Sequence, residues 1–555
     1  MSSMSLPKLA DLAKEQVIAN IYKGVPSPRS PLDSHTSNQL FRTLFPFYCW
    51  HGNKFHLTIS KTLNATEISL AGGPNFERVV PFVQSQNLTH LGLGDFFRLA
   101  KYHTDKRKRR DWKKYTIERE PGVMYVPEHT KAIHFYIDIC AVLRDMLNET
   151  SRKTLVHLDL SPVPNGQTPT GCNEQFIDRW VSEIASLLPS LKSLNIRQRL
   201  TTSSEFEALC CRFPNLQLLD LTNTDIESLS GISQLKELRT LRIGCLKLTD
   251  DGNFEEIFDL TNLRNLSFEA TWNCQCCRFG NTVDLYLESG KSLPNLEHLD
   301  LSMNIRNMND EKVSAFVRDH PSLKSISICG TRAWQNEYPG IKVFHYNTLS
   351  GAIDALQFYL AMKNQWMVTA VMDKLHRFRE PSIENAGSCL RVVNSALEEY
   401  GAIGKVRVSG YDYLSTLMEP HLLSTYPEED KIKTLRILLA NLNHDLIIPR
   451  HMRDSCDEFG VLNNRAFLQG ISFLYVQRIC RHVLTLMERL VGHGPICHVK
   501  VLDILKDRMD PTSEIFEGVQ KEKVLVYLER ERSRDWPRDV EEMLGRVVEF
   551  IQATF

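Results

Sequence analysis

The stretch "LPNLEHLDLSMNIRNMNDEKVSAFVRDHPSLKSISICGT" (293–331) carries one short pattern at both of its ends. The pattern is L-x-x-L-x-L, and isoleucine replaces the last two leucines in the second copy. Because side chains alternate between the two faces of a strand, each copy predicts a short strand with its apolar face in a core. Between the copies, "EKVSAFVRDH" (311–320) has apolar residues at helical spacing. The stretch therefore predicts strand, helix and strand in succession.

The same pattern recurs along the first two thirds of the chain. Its eight copies begin at Leu88, Leu155, Leu191, Leu216, Leu238, Leu263, Leu296 and Leu323, and a weaker copy lies at 65–70. From Leu191 onwards the steps are 25, 22, 25, 33 and 27 residues, mostly within the period of about 20–29 residues of leucine-rich repeats. Since no single repeat can bury its own apolar face, we predict an α/β leucine-rich-repeat solenoid over residues 51–345. Helices such as 174–188 would cover its convex side.

One long step between copies, from Leu88 to Leu155, indicates an insertion near residues 98–150. The insertion contains "KYHTDKRKRRDWKKY" (101–115), in which eight residues are Lys or Arg. A run of this kind is usually a solvated loop. It can also be a nuclear-import signal or a nucleic-acid patch. The solvated loop is the favoured interpretation, and direct binding of nucleic acid is disfavoured.

The last third of the chain lacks the strand pattern. Apolar residues recur at three- and four-residue steps over 351–378, 428–445, 464–494 and 536–555, which predicts helices. Helix pairs that repeat at about 40–47 residues are typical of armadillo-like arrays. We therefore predict an all-α, armadillo-like domain over residues 346–555.

Composition restricts the class of protein. The chain has 555 residues, 42% of them hydrophobic and 24% charged, with a formal net charge of −1. This is the composition of a soluble globular protein, and no apolar run is long enough to span a membrane. Charged residues such as Lys8 and Asp11 interrupt the N-terminal apolar stretch, which argues against a secretory signal. The 14 cysteines are therefore expected to be reduced thiols in a cytoplasmic or nuclear protein.

Metal and catalytic motifs are weak. "WNCQCCRF" contains Cys274, Cys276 and Cys277, one repeat after Cys245, but C-x-C-C is not a zinc spacing and buried thiols are the favoured interpretation. "HGPICH" (493–498) reads as a loop between helices. There is no G-x-S-x-G, P-loop or H-E-x-x-H motif, although a distant Cys–His dyad stays open. A binding protein without cofactors is favoured over an enzyme.

The N-terminal stretch "SLPKLADLAKEQVIANIYKG" (5–24) predicts a short amphipathic helix. Its apolar face consists of Leu9, Leu12, Ala13, Val17 and Ile21. The order of short helix, leucine-rich repeats and helical repeats resembles the zyg-eleven/zer-one family of substrate receptors of elongin B/C–cullin-2 ubiquitin ligases. The resemblance covers most of the chain and is most specific at the N-terminus and across 293–331.

The resemblance implies an N-terminal docking region over residues 1–50. Family members begin with a box L-x-x-x-C-x-x-x-apolar whose helix enters a groove of elongin C. Leu9, Ala13 and Val17 match its three places, with alanine at the cysteine place. Leu12 and Ile21 complete the predicted elongin-binding face. A helix that lies in a groove needs anchors at such spacings.

A cullin-selecting box follows in the family. "PLDSHTSNQLFRTL" (31–44) resembles it, with Leu32 at the lead and Leu40 and Phe41 at the apolar end. Asp33 occupies the place of the family's proline. These four residues are the predicted contacts with cullin-2.

The resemblance implies a non-catalytic substrate receptor, with the ligase bound at the N-terminal helices and target proteins bound at the repeats. The family's pocket for N-terminal glycine has no match in this sequence and is not transferred. Two alternatives stay open. One is an interaction scaffold without a ligase, in which residues 9–21 cap the open core of the first repeat. The other is an enzyme with an unrecognised site.

Overall fold

The chain divides into two compact units, Met1–Val371 and Met372–Phe555. The first unit thus extends beyond residue 345, where the repeats are predicted to end, because it includes the helix that follows residue 346. The computed structural model describes Val17, Ile21 and residues 31–44, 53–70, 76–94, 116–118, 135–162, 175–199, 201–249, 253–270, 281–304, 308–333, 338–375, 377–378, 381–401, 403–417, 420–423, 425–427, 429–431, 433–434 and 437.

Thirteen short strands lie within the described part of the first unit. In chain order they are β1 (Glu67–Ser69), β2 (His90–Gly92), β3 (Thr116–Glu118), β4 (Phe135–Ile137), β5 (His157–Asp159), β6 (Gln175–Phe176), β7 (Ser193–Asn195), β8 (Leu218–Asp220), β9 (Thr240–Arg242), β10 (Asn265–Ser267), β11 (His298–Asp300), β12 (Ser325–Ser327) and β13 (Lys342–Phe344). Ten of them form one sheet in the order β1-β2-β5-β7-β8-β9-β10-β11-β12-β13, and β3, β4 and β6 form a small second sheet.

Helices connect the strands and make up the described part of the second unit. In chain order they are α1 (Ser34–Leu44), α2 (Asn53–Thr62), α3 (Phe76–Ser85), α4 (Ile139–Met146), α5 (Glu149–Thr154), α6 (Trp180–Leu187), α7 (Ser203–Arg212), α8 (Thr282–Glu288), α9 (Asp310–Asp319), α10 (Leu349–Ala361), α11 (Gln365–Leu375), α12 (Ile383–Tyr400), α13 (Gly404–Leu417) and α14 (Pro420–Leu423). Among the described residues, two 3₁₀ helices, Ile232–Gln234 and Phe254–Asp259, take the place of an α-helix between strands.

The main sheet is parallel throughout, and its register explains the sequence pattern. The central residues of adjacent strands pair with one another, as Leu241 pairs with Leu219 and Leu266. The buried central residues are Ile68, Leu91, Leu158, Leu194, Leu219, Leu241, Leu266, Leu299 and Ile326. Each L-x-x-L-x-L copy and the weaker copy thus form a strand of one shared core. The last strand, β13, was not predicted, because its sequence has Val343 at the central place and no leucine before it.

Two of the helices between strands can be compared with the sequence-based prediction. Helix α9 falls where the sequence predicts it. Its N-cap is Asn309, whose side chain accepts a hydrogen bond from the Lys312 backbone N–H at 3.0 Å. The helix buries Val313 and Phe316. The helix predicted at 174–188 begins only at Trp180, so its first third is wrong. There, Gln175–Phe176 pairs with β4 as a strand of the small sheet.

The turn after each strand uses a left-handed residue. The φ angles are 59° at Gln198, 57° at Asn223, 60° at Cys245, 66° at Met303 and 74° at Gly330. The backbone N–H of this residue continues the ladder to the next repeat, as from Asn223 to the Gly244 carbonyl at 2.8 Å. A left-handed residue turns the chain sharply, so the chain leaves the sheet after these five strands.

The described part of the second unit is helical. Helices α12 and α13 pack against each other, and the close approach at Gly410 leaves no room for a Cβ atom beside the Leu397 side chain, which would lie at 2.6 Å. Buried residues of α12 include Leu390 and Val393. The helices predicted at 464–494 and 536–555 lie outside the described residues, so the armadillo-like array stays a prediction.

Candidate interaction surface

The strand residues on either side of the buried leucines form aligned rows on the other face of the sheet. Because the strands are parallel and in register, Asp220 lies beside Arg242, and Asp300 lies beside Ser327. Residues two places further along the chain, such as Arg197 and Glu269, extend the same surface. We call this surface the polar face of the repeats. It extends from Asp159 of β5 to Phe344 of β13. Surfaces of this kind are where solenoids bind partners.

Two ion pairs of the polar face are buried within the repeats. The Arg197 Nη2 atom lies 2.7 Å from the Glu269 Oε1 atom, and the two side chains are 1% and 2% exposed. Arg242 Nη1 lies 3.3 Å from Asp220 Oδ2. A buried charge is tolerated when it is paired and hydrogen-bonded. These four charges are therefore neutralised within the repeats.

The polar face is covered by the chain itself. Residues 358–366, at the end of α10 and in the turn into α11, lie against it; we call them the covering segment. Gln365 Nε2 donates to Ser161 Oγ beside β5 at 3.2 Å. Tyr359 Oη donates to Asp300 Oδ1 at 3.1 Å. At the far end, the Phe358 ring stacks on Phe344 of β13 with centroids 4.2 Å apart. The covering segment thus reaches from the fifth to the thirteenth strand.

The turn of the covering segment is held by three hydrogen bonds and one cation–π contact. The carbonyl of Met362, which ends α10, accepts a hydrogen bond from Arg242 Nη2 at 3.0 Å; helix C-terminal carbonyls are partly negative, so a guanidinium suits them. Asn364 Nδ2 donates to Glu269 Oε2 at 2.6 Å, while Asn364 Oδ1 accepts from the Met367 backbone N–H at 3.2 Å. The Trp366 ring lies 4.8 Å from the Arg197 guanidinium carbon. One asparagine therefore joins the start of α11 to the polar face.

Little space remains between the covering segment and the sheet. The cavity there is about 20 Å³ and is lined by Thr240, Arg242, His298, Asp300, Tyr359 and Asn364, among others. This volume holds roughly one water molecule. A protein partner or an organic ligand cannot enter the polar face while the covering segment is seated.

Burial changes the acid–base behaviour of the polar face. Burial raises the pKa of Asp300 to about 6, and the nearby Glu269 charge adds to the rise, against hydrogen bonds from Ser302 and Tyr359. Burial likewise raises the pKa of Asp159 and raises that of the Cys329 thiol to about 12. The Asp300 carboxyl is therefore protonated up to a pH well above the ordinary range of an aspartate.

We expect Asp300→Asn to stabilise the protein at pH 7.5 by about 1–3 kcal/mol. The folded state holds the Asp300 proton to about pH 6, well above the ordinary value of 3.8. The stability that this proton contributes is therefore present below about pH 4 and lost as the pH rises to about 6. Asparagine keeps an oxygen for Tyr359 and has no such loss. Urea denaturation from pH 4 to 7.5 measures the difference.

Asp220→Asn is the matched control for that experiment. It removes the same charge from the same face, but it also breaks the pair with Arg242, so it should destabilise the protein at pH 7.5. If Asp300→Asn destabilises the protein as much as Asp220→Asn does, then desolvation does not dominate at Asp300.

The predicted elongin-binding residues are only partly described. Ile21 is helical, 1% exposed and part of the core of the first repeats. Val17 is also helical, and its half-buried side chain packs against that core. Leu9, Leu12 and Ala13 lie outside the described residues. The apolar face of this stretch is therefore shared, at its C-terminal end, with the core of the repeats.

The predicted cullin-binding residues lie on α1 or just before it, and two of them face inwards. Leu40 and Phe41 are 2% and 1% exposed, and the Phe41 ring stacks on Phe82 with centroids 4.9 Å apart. A contact between a cullin and either side chain would require α1 to leave the core. Asp33 is exposed and caps α1, because its Oδ1 accepts from the Thr36 backbone N–H at 2.9 Å; this hydrogen bond lowers the pKa of Asp33. Leu32 is half-buried.

The described cysteines differ from the expectation at one position. The free thiols are those of Cys140, Cys210, Cys211, Cys329 and Cys389. Cys245 is disulfide-bonded, so the expectation of reduced thiols throughout is wrong there. None of the free described cysteines is its partner. Cys274, Cys276 and Cys277 lie outside the described residues.

Two other kinds of feature are missing from the described ranges. These ranges contain no group of three or more His, Cys, Asp or Glu side chains that could hold a metal ion. Within the same ranges, no helix has the length and apolar character needed to cross a membrane. The basic run at 101–115 and the stretch at 493–498 lie outside the described residues.

The first unit has one short parallel strand per repeat, a shared leucine core and helices or 3₁₀ turns between the strands. These features define a leucine-rich-repeat protein. No family model matches the chain. Gastrulation-defective protein 3 of Caenorhabditis elegans is 25% identical over 418 residues, which are 73% of this chain and 52% of that protein. The chain thus spans about half the length of the curated relative it matches.

Among solved structures, an internalin (InlF) of Listeria monocytogenes aligns with 50% of this chain and 66% of its own, at 12% identity and a TM-score of 0.25.

Proposed function

We propose that this protein is a non-catalytic substrate-recognition subunit of an elongin B/C–cullin-2 ubiquitin ligase. The N-terminal helices dock the ligase, and the repeats bind target proteins. The observation that carries the proposal is the position of the N-terminal apolar stretch. Ile21 anchors it in the core of the repeats, while Val17, one helical turn earlier, is only half-buried. Under this proposal, the box residues that precede Val17 in the sequence are the ones that enter the groove, since that mode of binding needs spaced apolar anchors.

The exposed side of α1 supports the second contact. Its N-cap Asp33 and the following His35 are exposed, whereas Leu40 and Phe41 hold the helix on the core. We therefore assign the cullin contact to the first turn of α1 and assign its apolar end to the fold.

A scaffold without a ligase is the second candidate, and a specific observation favours it. Ile21 belongs to the shared core of the repeats and Val17 packs against it, which is also what a cap on a terminal repeat does. In that case residues 9–21 have no partner outside the chain. The two functions differ in whether Leu9 contributes to binding or to folding.

We expect Leu9→Ser to weaken capture of elongin B/C by about 10–150-fold, because burying an aliphatic side chain is worth about 1.5–3 kcal/mol. The measurement is co-purification of the full chain with elongin B/C and cullin-2, followed by titration with elongin B/C. Ile383→Ser is the matched control, because Ile383 is an apolar side chain that is 59% exposed at the start of α12. It should leave capture unchanged.

Two results would contradict the proposal. The ligase function fails if the wild-type chain captures no elongin B/C. The cap function is supported instead if Leu9→Ser lowers the melting temperature as much as Ile21→Ser does. The latter variant introduces a hydroxyl into the core. A folded Leu9→Ser variant that loses elongin excludes the cap function.

A further inference from the structure

A row of cations runs along one edge of the main sheet. The residue just before each of four strands is an exposed lysine or arginine: Lys192 before β7, Arg239 before β9, Arg264 before β10 and Lys324 before β12. Their backbones are linked in one hydrogen-bond ladder, as from the Arg264 N–H to the Arg239 carbonyl at 3.0 Å. We call these four residues the basic flank. Since neighbouring strands lie about 4.8 Å apart, the flank spans about 24 Å.

The left-handed turn residues after five of the strands carry no charge: Gln198, Asn223, Cys245, Met303 and Gly330. The basic flank therefore has no counterpart among these five turn residues. In a chain with a net charge of −1, this contrast is a local property of the repeats.

The backbone beneath the basic flank is fixed from repeat to repeat. In four repeats, the residue before the first leucine donates a side-chain hydrogen bond to a backbone carbonyl of the preceding repeat. The donors and acceptors are Ser190 and Lys153 (2.6 Å), Asn262 and Lys236 (2.9 Å), Asn295 and Thr261 (2.8 Å), and Ser322 and Pro294 (2.8 Å). A fixed base reduces the entropy that is lost when side chains on it bind a partner.

Part of the positive charge is available. Glu297 lies between Arg264 and Lys324 and pairs with both. Glu237 is adjacent in sequence to Leu238 and exposed. Lys192 and Arg239 have no ion-pair partner among the described residues. Anions would therefore be attracted most strongly at the Lys192–Arg239 end of the flank.

We propose that the basic flank binds an acidic, extended segment of a protein partner. The covering segment closes the polar face, so a partner of the repeats must use another surface. None of the residues just before the strands, from Thr89 before β2 to Ile341 before β13, is aromatic, whereas single-stranded nucleic acid is usually held by stacking on aromatic side chains. An extended polypeptide advances about 3.3 Å per residue, so about seven residues cover the flank. This inference deepens the proposed function by naming the chemistry of the target.

The test uses the full chain and a fluorescein-labelled peptide of about ten residues with alternating Glu and Ser. Fluorescence anisotropy measures its Kd at low and physiological salt. We expect binding that weakens as salt rises, and a Kd about tenfold higher for Arg239→Glu/Arg264→Glu. Arg212→Glu/Arg318→Glu reverses the same charges on helices α7 and α9 and should bind like the wild type. Circular dichroism checks that both variants are folded.

The outcomes separate the alternatives. No binding by the wild type, or equal binding by the flank variant, overturns the proposal. Tighter binding of a single-stranded DNA of matched length, lost in the same variant, also overturns it in favour of a nucleic acid. Elongin capture is measured on the same variants. If the peptide binds and no elongin is captured, the ligase function is wrong, but the proposal that the basic flank binds an acidic segment is retained.

Discussion

Arg197→Met should lower the free energy of unfolding of the first unit by about 3–5 kcal/mol, because it leaves a buried carboxylate without its partner. Burial alone would lower the pKa of Arg197, but the charges of Glu269 and Asp220 raise it overall. The guanidinium therefore sits in a strongly negative site. Its loss also removes the cation beneath Trp366. Urea denaturation followed by tryptophan fluorescence measures the change.

The double variant Arg197→Met/Glu269→Gln is the control for this result. It removes both charges, and the glutamine oxygen can still accept the hydrogen bond of Asn364. We expect it to recover most of the stability, since replacing a buried ion pair as a whole is often neutral. If the single variant costs less than about 1 kcal/mol, the pair is not a principal support of the polar face.

Phe41→Ala should cost about 3–5 kcal/mol, the usual range for a buried phenylalanine. Phe41 is 1% exposed and stacks on Phe82 of α3, so its loss opens a cavity between two helices beside the first strand. Thermal denaturation of the variant and the wild type checks this. The prediction concerns stability, although the sequence resemblance places Phe41 at a cullin contact.

Asp33→Ala is the matched variant on the same helix. Removing an N-cap costs about 0.5–2 kcal/mol, and the side chain is exposed, so the variant should stay folded. Under the proposed function it loses cullin-2 and keeps elongin B/C. The assignment of Phe41 to the core is wrong if Phe41→Ala melts like the wild type and loses only cullin-2.

The repeats could be predicted because their physics is local. Each strand needs leucine at alternate places within six residues, and a sequence pattern of that length is visible without knowledge of the fold. Where the local signal was weaker, the prediction failed. Strand β13 has Val343 in place of leucine, and Gln175–Phe176 joined a strand because β4 pairs with it. Tertiary pairing overrode helical spacing there.

The covering segment could not be predicted from the sequence. Its contacts join residues far apart in the chain, such as Gln365 with Ser161 and Asn364 with Glu269, and no periodicity relates them. The residues 351–378 read correctly as helices, but nothing in that spacing indicates what they pack against. One signal was present: Asp220, Arg242 and Asp300 occupy strand positions that most repeats fill with neutral residues, and such charges need partners when buried.

The covering segment also has a mechanical consequence. In a stack of repeats that touch only their neighbours, small rotations between repeats add up along the array, so the array can bend. The covering segment contacts residues from Ser161 to Phe344 and so joins repeats that are not neighbours. These contacts oppose bending of the array. The contacts therefore resist changes in the distance between β5 and β13, the two strands that they join.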